Sequence, residues 1–133
     1  MKTIQEPWIK LKKCIDREDY DLINTLQEQC TYEDKLALKL ELDYKLGLAL
    51  ENTKIPNSKD VNEFMFFDGK DMIGYMGICS FGGAGAPLEV NGMVRPEYRR
   101  QGIFTKLSEL AIAEWKGRNS GSILLLKSTG RFL

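Results

Sequence analysis

The sequence predicts an α+β domain, and three observations predict it. Apolar residues recur at helical spacing as far as Asn52. Beyond residue 60 the runs become β-type, and two of them are joined through Asp68-Gly69. A strand that stops at Pro96 then feeds a polar loop and a third amphipathic helix.

Residues 8–15 partly alternate apolar and polar side chains and read as a short strand or an irregular lead-in. Asp16 is a natural N-cap for a helix over residues 16–29, with Leu22, Ile23 and Leu26 on one face; Asp19 and Asp21 are equally able to cap it. Thr31, with Asp34 three residues on, reads as the opening of a second helix. In it Leu36, Leu40, Tyr44 and Leu48 form one stripe, and Leu38, Leu42 and Leu46 the next. The stripe lasts under three heptads, which favours packing on a core over a coiled coil. Pro56, Asn57 and Ser58 mark the loop that ends this half.

Residues 62–67 and 72–81 read as a β-hairpin turning at Asp68-Gly69-Lys70-Asp71. Gly74 and Gly77 inside the second run signal a bulge or a close approach by a neighbour. Residues 82–87 are glycine-rich, but no Gly-Lys-Ser/Thr follows, so they read as a mobile loop between antiparallel strands. Leu88–Val94 is a third strand. Residues 103–116 form a helix with Leu107, Leu110, Ala111 and Trp115 at helical spacing, and residues 122–127 form a buried strand around Ile123-Leu124-Leu125-Leu126.

Composition limits the chemistry. The 133 residues suit one domain, and 43% apolar with 29% charged residues is the balance of a soluble chain that buries a core. Lys plus Arg and Asp plus Glu both number 19, which argues against charge-driven binding to nucleic acid or an anionic membrane. There is no histidine, so Ser-His-Asp and Cys-His catalysis and histidine-containing metal sites are excluded. Cys14, Cys30 and Cys79 are odd in number and widely spaced, as expected of reduced thiols in a cytoplasmic protein and not of a disulfide framework or zinc site. No apolar stretch follows Lys2 as in a signal peptide, and no run reaches the ~20 residues of a membrane span.

The informative stretch is Val94-Arg95-Pro96-Glu97-Tyr98-Arg99-Arg100-Gln101-Gly102-Ile103-Phe104-Thr105. It delivers two arginines and a glycine to a helix N-terminus, where amides precede the hydrogen-bond ladder and the dipole is positive. Gly102 allows close approach to the backbone, and forked guanidinium groups suit phosphate oxygens. A diphosphate-containing ligand is the natural expectation.

This stretch resembles the acetyl-CoA-binding motif of the GCN5-related N-acetyltransferase (GNAT) superfamily, Arg/Gln-x-x-Gly-x-Gly/Ala after a strand ending Val-x-Pro and before a long helix. Arg99, Gly102 and the context match, while Phe104 stands where the pattern has Gly or Ala. The resemblance covers residues 62–128; residues 8–52 fit it in order only. It implies an α/β/α layered domain over residues 1–133, with a mixed, mostly antiparallel sheet, two N-terminal helices and a CoA-binding strand-loop-helix. The strand before the loop would carry a bulge, and the backbone of Met93 and Val94 would meet the pantetheine and the thioester carbonyl as an oxyanion hole. Amides of residues 100–105 (Arg100, Gln101, Gly102, Ile103, Phe104, Thr105) would hold the pyrophosphate beside Arg99 and Arg100. The last strand, residues 123–127, would splay from Leu88–Val94 and open a cleft.

The implied reaction is direct acetyl transfer from acetyl-CoA to an amine, small-molecule or peptide, with no metal and with Glu89 as the base. Asn91 shares the face of Glu89 by alternation and is placed to position substrate or water. Tyr98 reads as structural, and Tyr75 is a weaker candidate acid. The family's C-terminal helix and strand pair have no counterpart here, which implies a truncated or partial domain, or one completed by a second chain as a homodimer. The competing readings are a non-catalytic CoA-binding or regulatory module and a helical interaction protein docking through the leucine stripe.

Overall fold

The computed structural model describes residues 2–35, 40, 42–52, 61–80, 88–117 and 124–128. Among the described residues five strands form one sheet in the order β1-β2-β3-β4-β5. They are β1 (Pro7–Lys12), β2 (Glu63–Asp68), β3 (Asp71–Ser80), β4 (Leu88–Val94) and β5 (Leu124–Ser128). The first four pair antiparallel and β5 runs parallel to β4, so the sheet is mixed and mostly antiparallel. The helices are α1 (Arg17–Asp34), α2 (Leu42–Asn52) and α3 (Ile103–Gly117).

Alternation along each strand divides the core into two layers. Phe64, Phe66, Met76, Ile78, Val90 and Val94 meet Ile103, Leu107 and Ala111 of α3. On the other face Met65, Phe67, Tyr75 and Met93 meet Ile23, Leu26 and Cys30 of α1 and Leu42 at the start of α2. This is the α/β/α layering that the resemblance implies, and residues 8–12 belong to a true edge strand.

Asp16 is the N-cap of α1, in a capping box with Asp19. Asp19 is fully buried and also takes ion pairs from Lys10 and Lys12. The helix runs through Thr31 to Asp34, so Thr31 opens no second helix and instead supplies the carbonyl that accepts the Lys35 N–H at the C-cap. Lys35 is left-handed, φ 57°. Nothing in residues 29–31 breaks a helix, and Cys30 is held in the core. The leucine stripe divides: Leu40 and Leu42 are buried, Tyr44 is half exposed, and Leu36, Leu38 and Leu48 lie outside the described side chains, as do the loops at 53–60 and 82–87.

The hairpin turns at Gly69, φ 60°, as the Asp-Gly pair predicts. A register shift falls between Phe66 and Phe67, which pair with Gly74 and Met72 and leave Ile73 between them. The bulge therefore lies beside Gly74. The implied bulge in the strand before the loop is corrected, because β3 and β4 pair without interruption from Gly74↔Val94 to Ser80↔Leu88. Gly74 also lets α3 approach, since a Cβ there would lie 2.7 Å from Ile103 Cγ2.

Candidate functional site

β4 leads to a single 3-10 turn, Pro96–Tyr98, and then to α3. The turn is tied down on every side. Tyr98 is buried and its hydroxyl donates to Asp68 at 3.2 Å, which anchors it to the hairpin and gives it the structural role expected. The Arg99 Nε donates to the Val94 carbonyl at 3.0 Å, so this arginine braces the loop against the strand end. Gln101 reaches the N-terminal segment, accepting from the Ile4 N–H and donating to the Lys2 carbonyl, while Lys2 pairs with Glu97. Of the two arginines, Arg100 is the exposed one.

The backbone at this point has an unusual shape. Arg100 has φ 66° and Gly102 has φ 80°, on either side of Gln101. Alternation of φ sign is the pattern that curls successive N–H groups into an anion-binding concavity. Helix α3 begins at once, with the Lys106 N–H bonding to the Gly102 carbonyl at 2.9 Å, so the amides of residues 103–105 precede the ladder. The residue before this helix is a glycine, with no side chain to cap it, and its first turn holds no acidic residue. Among the described residues, and apart from its two chain neighbours, no heavy atom lies within 4 Å of a Cβ built on Gly102, which leaves the helix end open to an external anion.

Phe104, the departure from the family pattern, is turned inward against the sheet. A Cβ on Gly92 would lie 2.7 Å from its ring. The bulk added at 104 is matched by the bulk absent at 92.

The backbone direction of β4 separates Met93 from Val94. The Arg95 N–H bonds to the Ile73 carbonyl, so by alternation the Met93 backbone faces β3, and that of Val94 faces the β5 side. The ladder with β5 runs from Leu88↔Leu124 to Gly92↔Ser128. Among the described residues Val94 stands beyond the last pair, and its carbonyl accepts from Arg99 and from the Cys30 thiol.

Glu89 and Asn91 lie on the α1/α2 face of β4, 3.3 Å apart from Asn91 Nδ2 to Glu89 Oε1. Beside them is a buried cluster of which sequence reasoning named Tyr75 but missed Lys45 and Glu63. Lys45 of α2 donates to Glu63 at 2.5 Å, to Tyr75 and to the Ile78 carbonyl, and the Tyr75 hydroxyl donates to Glu63. Burial pushes the Glu63 carboxyl up, against the opposing pull of Lys45 and Tyr75. Burial, followed by Glu63, holds the Tyr75 phenol well above its ordinary range. Gly77 makes room for the cluster, because a Cβ there would meet Tyr75 and lie 2.8 Å from Lys45 Nζ. The signals were a lysine within an apolar helix face and a glutamate at an inward strand position. The Tyr75 hydroxyl is fully buried and commits its proton to a hydrogen bond with Glu63.

A cleft of about 570 Å³ lies between α1 and the 3-10 turn, lined by Glu28, Gln29, Tyr32, Glu33, Pro96 and Glu97. Its three carboxylates repel phosphate, and none of residues 99–105 is among its lining.

No protein-family model matches the chain, and no curated protein matches it. Solved structures do match. The acetyltransferase of GNAT family from Streptococcus pneumoniae superposes with TM-score 0.64 and 16% identity, over 91% of this chain and 73% of that one. The chain has the GNAT acetyltransferase fold. A GNAT family acetyltransferase from Brucella melitensis, solved in complex with acetyl-CoA, gives TM-score 0.59 and 18% identity over 86% of this chain and 71% of that one. An N-acetyltransferase from Staphylococcus aureus Mu50 gives TM-score 0.59 and 17% identity, over 87% and 70%. In this GNAT fold the strand-loop-helix is β4, residues 95–102 and α3.

Proposed function

We propose that this protein transfers an acetyl group from acetyl-CoA to an amine. The observation that carries the reading is the uncapped, acid-free N-terminus of α3, approached through two left-handed residues and open above Gly102. A diphosphate fits there, because the first-turn amides and the exposed Arg100 supply donors and positive charge. Arg99 supports this from below by holding the loop to Val94. The Brucella melitensis structure with acetyl-CoA, sharing the fold, supports the choice of ligand.

Acetyl-CoA, when bound, supplies an acetyl group activated as a thioester. The Val94 N–H, on the β5 side beyond the last ladder pair among the described residues, is the donor best placed for a carbonyl oxygen on which charge develops. The Met93 N–H faces β3, so the proposal rests on Val94 alone. Glu89 takes the proton that the amine nitrogen loses as it forms the amide bond. The departing thiolate takes its proton from solvent, since Tyr75 is occupied.

Release of free thiol from acetyl-CoA tests the proposal, measured with spermidine, n-hexylamine and a peptide with a free N-terminal alanine. Release that depends on at least one amine is the expected result. Acetyl-CoA binding without amine-dependent release overturns transfer and leaves a CoA-binding module.

A further inference from the structure

Most polar side chains buried on the α1/α2 face are closed systems. Asp19 is satisfied by Lys10, Lys12 and the cap of α1. Lys45 directs its three donors to Glu63, Tyr75 and Ile78. Asn91 differs. It is 1% exposed, its amide nitrogen donates to Glu89, and its carbonyl oxygen has no hydrogen-bond partner. Among the described residues the other such side-chain atom is Ser108 Oγ, on α3.

The amide orientation follows from chemistry, because only the nitrogen can face a carboxylate. The oxygen is then turned away from Glu89 into the same buried layer. A buried acceptor without a partner costs about 1–3 kcal/mol, and interiors ordinarily relieve it with a bound water. Register places Asn91 beside Gly77, the residue over which the Lys45 cluster sits, and that cluster has no donor left to offer.

We infer that Asn91 is a positioning residue for Glu89: its amide nitrogen holds the carboxylate in place, and its carbonyl oxygen holds a buried water beside it. The inference rests on the proposed role of Glu89 as base. The amide nitrogen is a neutral donor to the carboxylate, and the adjacent water gives the proton a partner on arrival. Further ionisable side chains of this face are Lys45, Glu63 and Tyr75, committed to one another, and Asp19, paired with Lys10 and Lys12. The buried thiols of Cys30 and Cys79 share it, the latter opposite Glu89 in the β3–β4 register, and Lys127 stands at the register position beside Asn91.

The test uses two variants of nearly unchanged size in the full chain. It is run with whichever amine of the panel above gives thiol release, after that release has been measured in the unaltered protein. Asn91→Leu removes donor and acceptor, and kcat is expected to fall at least tenfold while the KM for acetyl-CoA stays within twofold. Asn91→Asp puts a second carboxylate against Glu89, and the acid limb of the kcat/KM profile is expected to move up by about one pH unit. An unmoved acid limb in folded Asn91→Asp overturns the inference even if Asn91→Leu fails to fold. An unaltered protein that releases no thiol with any amine overturns the transfer reading itself, before any variant is compared.

Discussion

Gly92 and Phe104 form a matched pair, and a double-mutant cycle measures the match. A methyl group added in Gly92→Ala would lie 2.6 Å from Met76 Cε and 2.7 Å from Phe104 Cε2. The methionine end is flexible and yields at little cost, but the aromatic ring is rigid and packed against the α3-side core. Overpacking of this kind costs about 1–3 kcal/mol, partly offset by the ~0.5–1 kcal/mol that alanine gains over glycine within a strand. Gly92→Ala alone should therefore destabilise by about 1–2 kcal/mol. Phe104→Ala should cost about 2 kcal/mol, at the low end for a phenylalanine because the ring is only half-buried. In the Phe104→Ala background the added methyl enters vacated space, so Gly92→Ala becomes neutral or mildly stabilising. The coupling is then about 2 kcal/mol, which separates the expected and additive midpoints in urea by roughly 1 M. Urea denaturation of the four proteins, followed by far-UV circular dichroism, reads it directly. A coupling below about 0.5 kcal/mol would refute the reasoning, because the two residues would then not share the space.

Breaking the buried cluster should be costlier. Lys45→Met leaves the Glu63 carboxyl in the core without its cation, an expected loss of about 3–5 kcal/mol in urea denaturation, and adding Glu63→Gln should recover part of it. Asp16→Ala removes the cap of α1, worth about 1 kcal/mol. Asp16 also carries a pH signature, since its carboxyl is held at about 2 by the Asp19 N–H and by Lys12. Because the folded value lies below the unfolded one, this contribution is present above the ordinary carboxylate range and fades as the pH falls toward 2. Stability curves of the unaltered protein and Asp16→Ala should therefore converge over that acid interval, and parallel curves would contradict the assignment.

The elements with local causes were legible in the sequence. Asp16 starts α1 as its side chain predicts, Asp68-Gly69 turns the hairpin, and β4 occupies Leu88–Val94 as read. The extension of α1 through Thr31 was hidden because a threonine followed by an acidic residue is a cap signal, which a well-packed helix overrides. The bulge beside Ile73 was half visible, through Gly74, but its strand pairing is a tertiary fact. At the site, the glycine before α3 and the paired arginines could be read directly. That Arg99 braces Val94 while Arg100 is exposed could not, since adjacent residues of one type differ only by the turn that carries them. Lys45, Glu63 and Tyr75 are distant in sequence, and only the sheet and α2 bring them together. That the departure at Phe104 is matched by Gly92 could not be read either, because only the sheet and α3 bring the two together.

The central claim is that the open N-terminus of α3 holds the diphosphate of acetyl-CoA, and Thr105→Glu tests it most directly. Thr105 is exposed in the first turn of α3. An acidic side chain there complements the helix dipole and should raise stability by about 0.3–1 kcal/mol. The same charge opposes a bound diphosphate. Calorimetric titration with acetyl-CoA at physiological salt should show binding to the unaltered protein and at least tenfold weaker binding to Thr105→Glu, with its melting temperature unchanged or higher. Equal affinity in the two proteins, or no binding to the unaltered one, would contradict the account.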